Sequence, residues 1–163
     1  MSISHSLDIQ TSLTTEEIET LLLSSNLSLI GKKWSYTENN IEYNNSALDG
    51  LGISITVSKE SDLAKKITLE DYGFAPDISI GFHLARYESE TAGTETTAKA
   101  LAILLLQGNG DAVFFINSDY IVFKRLNNKL TVYKEISEWL IPELNKAGIK
   151  YELEKSEYAE EFA

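Results

Sequence analysis

The chain has 163 residues, 43% of them hydrophobic, and a net charge of -11. That size and composition suit one domain with one core and exclude a disordered chain. The absence of cysteine excludes a disulfide scaffold, thiolate metal sites and cysteine catalysis, and the strong negative charge argues against nucleic-acid and anionic-membrane partners.

The opening stretch MSISHSLDIQ has neither a basic start nor an apolar run, so no secretory signal is expected and the default location is the cytoplasm. Residues 3–10 alternate loosely, as a half-buried strand does. Thr14 and Glu17 have capping-box spacing, and Ile18, Leu21 and Leu22 then form one face of a helix reaching about Ser25. Residues 27–36 read as a strand. Residues 37–45 are polar and Asn-rich and read as a loop. Residues 51–57 alternate at period two and predict another strand. A short helix follows over 61–66, capped by Ser61 or Asp62.

Residues 77–87 give the clearest strand. Ile78, Ile80, Phe82 and Leu84 fall on one face, and the small residues Ser79, Gly81, Ala85 share the other with His83. Residues 91–97 lead into a helix over 98–107 that is apolar almost all round and therefore central. It contains the longest apolar run, 101–106, which is too short to span a bilayer. Gly108-Asn109-Gly110 stops it with a left-handed cap. Three strands follow, 112–117, 120–126 and 130–135, turned at Ser118-Asp119 and Asn127-Asn128. A last helix over 137–147 is expected to kink near Pro142 and end at Gly148. Residues 149–153 can add an edge strand, and the acidic tail 155–163 is expected to fray. The order predicts an α+β fold: a mostly antiparallel sheet with about three helices packed on one face, in a single domain over 1–163.

Chemistry-bearing motifs are sparse. His5 and His83 stand apart from any metal-spaced cluster. There is no nucleophile elbow and no phosphate loop, since Gly108-Asn109-Gly110 follows a helix rather than a strand. The acidic pairs Glu70/Asp71 and Glu88/Glu90 read as solvated surface, because a carboxylate needs a cleft and a partner before its pKa moves. No cofactor or metal is expected. Phe74, in the turn 71–77, reads either as an aromatic covering the sheet edge or as part of an aromatic and acidic contact patch.

The run 67–88, ITLEDYGFAPDISIGFHLARYE, resembles the type-three Sit immunity proteins. The likeness lies in a Gly-Phe-x-Pro-Asp turn (Gly73, Phe74, Pro76, Asp77) feeding the Ser-Ile-Gly-Phe strand Ser79 to Phe82. The segments Gly110-Asp111-Ala112-Val113 and 120–126, and Trp139, are similar too. The likeness covers most of 3–153 and departs at 38–45 and in the acidic tail. It implies a cytoplasmic bacterial immunity protein that binds a toxin delivered by neighbouring cells, and no catalytic residues. Immunity proteins vary where they meet their toxins. The charge adds the expectation of a basic partner such as a nuclease. The candidate toxin-binding residues are Glu70, Asp71, Phe74, Asp77, Glu88, Glu90 and Asp119. A homodimer is compatible with the sequence. Two other readings stay open: a self-assembling structural subunit, and a small enzyme using Asp77, Glu88 or Asp111.

Overall fold

The computed structural model describes residues 2–85 and 90–162. Their strands form one nine-stranded sheet: β1 Ser2–Ile9, β2 Ile30–Glu38, β3 Ile41–Gly50, β4 Ile53–Lys59, β5 Ile78–Ala85, β6 Ala112–Ile116, β7 Tyr120–Leu126, β8 Lys129–Tyr133 and β9 Glu152–Glu154. The spatial order is β2-β3-β4-β5-β1-β6-β7-β8-β9. Every pairing is antiparallel except β8 with β9. The helices are α1 Thr15–Leu23, α2 Asp62–Tyr72, α3 Glu90–Gly108 and α4 Ile141–Lys146, with a 3-10 turn at Ala159–Phe162. This is the predicted α+β class.

The strand alternation places Leu7, Ile9, Ile55, Ile78, Ile80, Phe82, Leu84 and Phe114 on one face, all buried. Helices α1, α3 and α4 cover that face, and Leu101, Leu104 and Leu105 of α3 enter the same core. At its centre Phe114 stacks on Phe123 at 5.6 Å and meets Phe82 edge-on at 5.9 Å. The capping box forms as expected: Thr14 Oγ1 accepts from Glu17 N–H and Glu17 Oε1 accepts from Thr14 N–H.

Several expectations are corrected. Helix α2 is longer than residues 61–66 and lies on the opposite face from the other three, where Tyr72 meets Phe115 edge-on at 5.7 Å. Its weak apolar stripe hid both its length and its seat. The last helix starts only at Ile141, because Pro142 sits in the first turn, where its missing N–H costs nothing, and so it opens the helix instead of kinking it. Helix α3 begins at Glu90, not near Ala98. Gly93 makes this entry possible, since a Cβ there would press on Gly52 O at 2.6 Å. The left-handed stop expected after α3 does form, at Asn109 (φ 58°). Arg125 of β7 ties down the end of α3: its Nη1 donates to Leu105 O of the helix at 2.5 Å and its Nε to Gly110 O just beyond the helix at 2.7 Å. In the tail, Ser156 is buried and its N–H donates to Glu135 Oε2 at 2.8 Å.

The largest difference concerns residues 37–45. They form the end of a long β-hairpin, not a loop, and β2 pairs with β3 from Ile30↔Asp49 to Glu38↔Ile41. Asn39 and Asn40 make the turn with φ of 51° and 64°. Asparagine tolerates this left-handed geometry, so an Asn-Asn pair builds the two-residue turn that suits the twist of the strands. Both faces of the hairpin are largely solvent-exposed, so the alternation of Trp34, Tyr36, Ile41 and Tyr43 with polar residues marks no buried face, and the Asn-rich composition of the tip reads as a loop.

Candidate partner-binding surface

Opposed residues of an antiparallel pair share a face. The register therefore puts Lys32, Trp34, Tyr36 and Glu38 of β2 beside Ile41, Tyr43, Asn45 and Ala47 of β3. Trp34 is 49% exposed, Tyr36 48%, Ile41 54% and Tyr43 38%. Tyr36 and Tyr43 stack at 4.9 Å with their planes 14° apart, which stiffens the ladder. Exposed aromatics held on a rigid two-stranded ribbon are what a protein partner's apolar pocket receives. The base of the ribbon is pinned by polar bonds on both faces. Lys32 Nζ reaches Asp49 Oδ2 at 3.1 Å, Ser54 Oγ donates to Asp49 Oδ1 at 2.8 Å, and Ser46 Oγ donates to Glu19 Oε1 at 3.2 Å. The two bonds to Asp49, first that from Ser54, hold its carboxyl below the ordinary range.

Beyond the hairpin the same sheet face carries small polar groups. His83 Nδ1 lies 3.1 Å from Ser4 Oγ, and its Nε2 lies 3.4 Å from Thr56 Oγ1. Gly81 leaves room for the ring, since a Cβ there would meet Thr56 Oγ1 at 2.8 Å and His83 Nε2 at 3.0 Å.

The residues expected to meet a partner are dispersed. Phe74 is only 3% exposed, so its ring serves the fold and cannot form a surface contact patch. Asp77 is exposed, yet its Oδ2 accepts from Thr11 N–H at 2.9 Å and fixes the β1–α1 connection. Glu70 and Asp71 are exposed at the end of α2. Asp71 lines a cleft of about 410 Å³ with Tyr72, Lys124, Tyr133, Lys155 and Tyr158. The Tyr158 ring meets Tyr120 at 5.2 Å, beside the exposed Asp119. Glu88 lies outside the described residues, as does the side chain of Glu90. Asp111 Oδ1 accepts from Asn127 N–H at 2.9 Å and holds the β7–β8 turn.

Sequence reasoning missed one carboxyl pair. Asp8 of β1 and Glu60 at the end of β4 meet on the face that α2 covers. Burial, then a hydrogen bond and the charge of Asp8, push Glu60 up to about 7, and burial also raises Asp8. The folded pKa of Glu60 lies above the unfolded value of 4.5, so the stability it contributes is present below pH 4.5 and is lost as the pH rises through about 7. Glu60→Gln offers a donor toward Asp8 and removes the titration. The variant is expected to gain on the order of 1 kcal/mol over the parent at alkaline pH, after allowance for solvent screening. Denaturation midpoints across the pH range check this, and an unchanged pH slope would refute it.

Among the described residues no cluster of three or more His, Cys, Asp or Glu is arranged for a metal ion, and no helix is long and apolar enough to cross a membrane. A model of the SitI3-like family matches residues 3–143. No curated protein and no solved structure matches the chain.

Proposed function

The chain belongs to the SitI3-like family, and on that premise we propose that it is a cytoplasmic immunity protein that binds and neutralises a cognate protein toxin delivered by neighbouring bacteria. The observation that supports a binding role is the exposed aromatic ladder Trp34, Tyr36 and Tyr43 on the β2–β3 hairpin. The hairpin includes residues 38–45, and a surface that selects one toxin is expected to vary among immunity proteins. The exposed carboxylates Glu70, Asp71 and Asp119 add to a net charge of -11 that would steer a basic toxin, such as a nuclease, toward the molecule.

The test is co-expression with the toxin-like product of the adjacent reading frame. Growth should be rescued by this protein and not by an unrelated acidic one. Rescue should fail when Trp34, Tyr36 and Tyr43 are all changed to alanine in a chain that still folds. Full rescue by that triple variant would remove the hairpin from the interface. Association with a basic toxin should slow steeply with added salt, and an on-rate indifferent to salt would count against the nuclease reading.

One observation favours a second reading, a small enzyme. The Glu60 carboxyl, raised to about 7 beside Asp8, has the protonation behaviour of a general acid-base group. The clefts at the hairpin, along α3, at α2–β7 and at β8–β9 are lined by other residues, which leaves the binding role the better supported.

A further inference from the structure

The strand β2 ends the sheet, and all nine of its residues are exposed. We propose that this edge pairs with the same edge of a second copy of the chain, antiparallel about a two-fold axis at Ser35, so that two sheets join into one. The inference is independent of the identity of the toxin.

The register follows from the backbone. The two-residue turn at Asn39 and Asn40 closes on Glu38↔Ile41. Such a turn is closed by a hydrogen bond between its flanking residues, and antiparallel strands then alternate inward and outward bonding. Even-numbered residues of β2 therefore bond to β3. Gly31, Lys33, Ser35 and Thr37 direct their N–H and C=O groups outward, toward open space.

Charge then selects among the registers this parity allows. An axis at Lys33 would set that lysine against its own copy, and edge lysines of this kind ordinarily keep edges apart. An axis at Ser35 places Lys32 opposite Glu38 of the second copy, Lys33 opposite Thr37 and Trp34 opposite Tyr36. Lys32 is 67% exposed at the side chain even while it holds Asp49, so its ammonium can serve both carboxylates. The two-fold repeats each pair, giving two opposite-charge and two aromatic cross-strand pairs. Both aromatic ladders then lie on the same side of the joined sheet. A single strand edge buries little area, so the dimer is weak and depends on concentration.

Sedimentation over a wide range of concentrations reads the assembly. The parent chain is expected to dimerise reversibly. Ser35→Pro removes an N–H that the monomer does not use, and edge positions tolerate proline, so this variant should stay folded and monomeric. Lys32→Glu should weaken the dimer on the order of three- to ten-fold, and adding Glu38→Lys should restore it. The chain has no cysteine, so Ser35→Cys offers a single thiol facing its own copy across a spacing that a disulfide spans. It should cross-link faster than Thr37→Cys. A chain that stays monomeric at every concentration, a dimer that survives Ser35→Pro, or equal cross-linking by the two cysteine variants would each overturn the proposal. A toxin strand seated on the edge would instead show as toxin binding lost with Ser35→Pro and no dimer in the parent.

Discussion

Replacing Trp34 by alanine is expected to weaken binding of the cognate toxin by about 100-fold while leaving the free protein's stability within about 0.5 kcal/mol of the parent. The indole stands on the hairpin opposite Asn45 and is half exposed, so the folded chain alone gains little from it. A partner that buries it gains the transfer of a large apolar ring from water, and truncated tryptophan anchors typically cost about 2–4 kcal/mol. Tyr36 is a less clean choice, because its stack on Tyr43 also contributes to the hairpin itself. Leu63→Ala provides the control: that side chain is 68% exposed on α2 and should change affinity by less than about two-fold. Calorimetric titration of the toxin with each variant decides the matter. Equal affinities for the Trp34 variant and the parent would move the interface away from the hairpin.

Phe114→Ala is expected to destabilise the fold by about 3–5 kcal/mol. Phe114 is fully buried on β6. Its ring stacks on Phe123, meets Phe82 and His5 edge-on, and lies 6.1 Å from Trp139. Truncation opens a cavity walled by elements that pairing holds in place, so the void cannot collapse. Domains of this size are stable by only about 5–15 kcal/mol, and such a loss lowers the urea midpoint sharply. Phe114→Leu keeps most of the volume and should cost clearly less. A loss below about 1 kcal/mol for the alanine variant would contradict this picture of the core.

The sequence by itself determined the parts whose cause is local. Period-two patterning gave β5 and its two faces, because one side of that strand is buried and the other is not. Thr14 and Glu17 gave the start of α1, because capping is a matter of four consecutive residues. The apolar composition of α3 gave its central seat, and Asn127-Asn128, both with positive φ, gave the β7–β8 turn. Tertiary structure decided what depends on partners far along the chain. In the β2–β3 hairpin the aromatics alternate with polar residues, but water meets both faces, so only the strand pairing reveals that its Asn-rich stretch is a turn and not a loop. Phe74 could have faced either way on sequence grounds, and packing buried it. Asp8 and Glu60 became a coupled pair only because β4 and β1 flank β5, and Arg125 reached the end of α3 only because β7 passes beneath it. Local patterns report the difference between water and core along one element. Where both faces are wet, or where two distant groups meet, that difference is not written along any one stretch of chain.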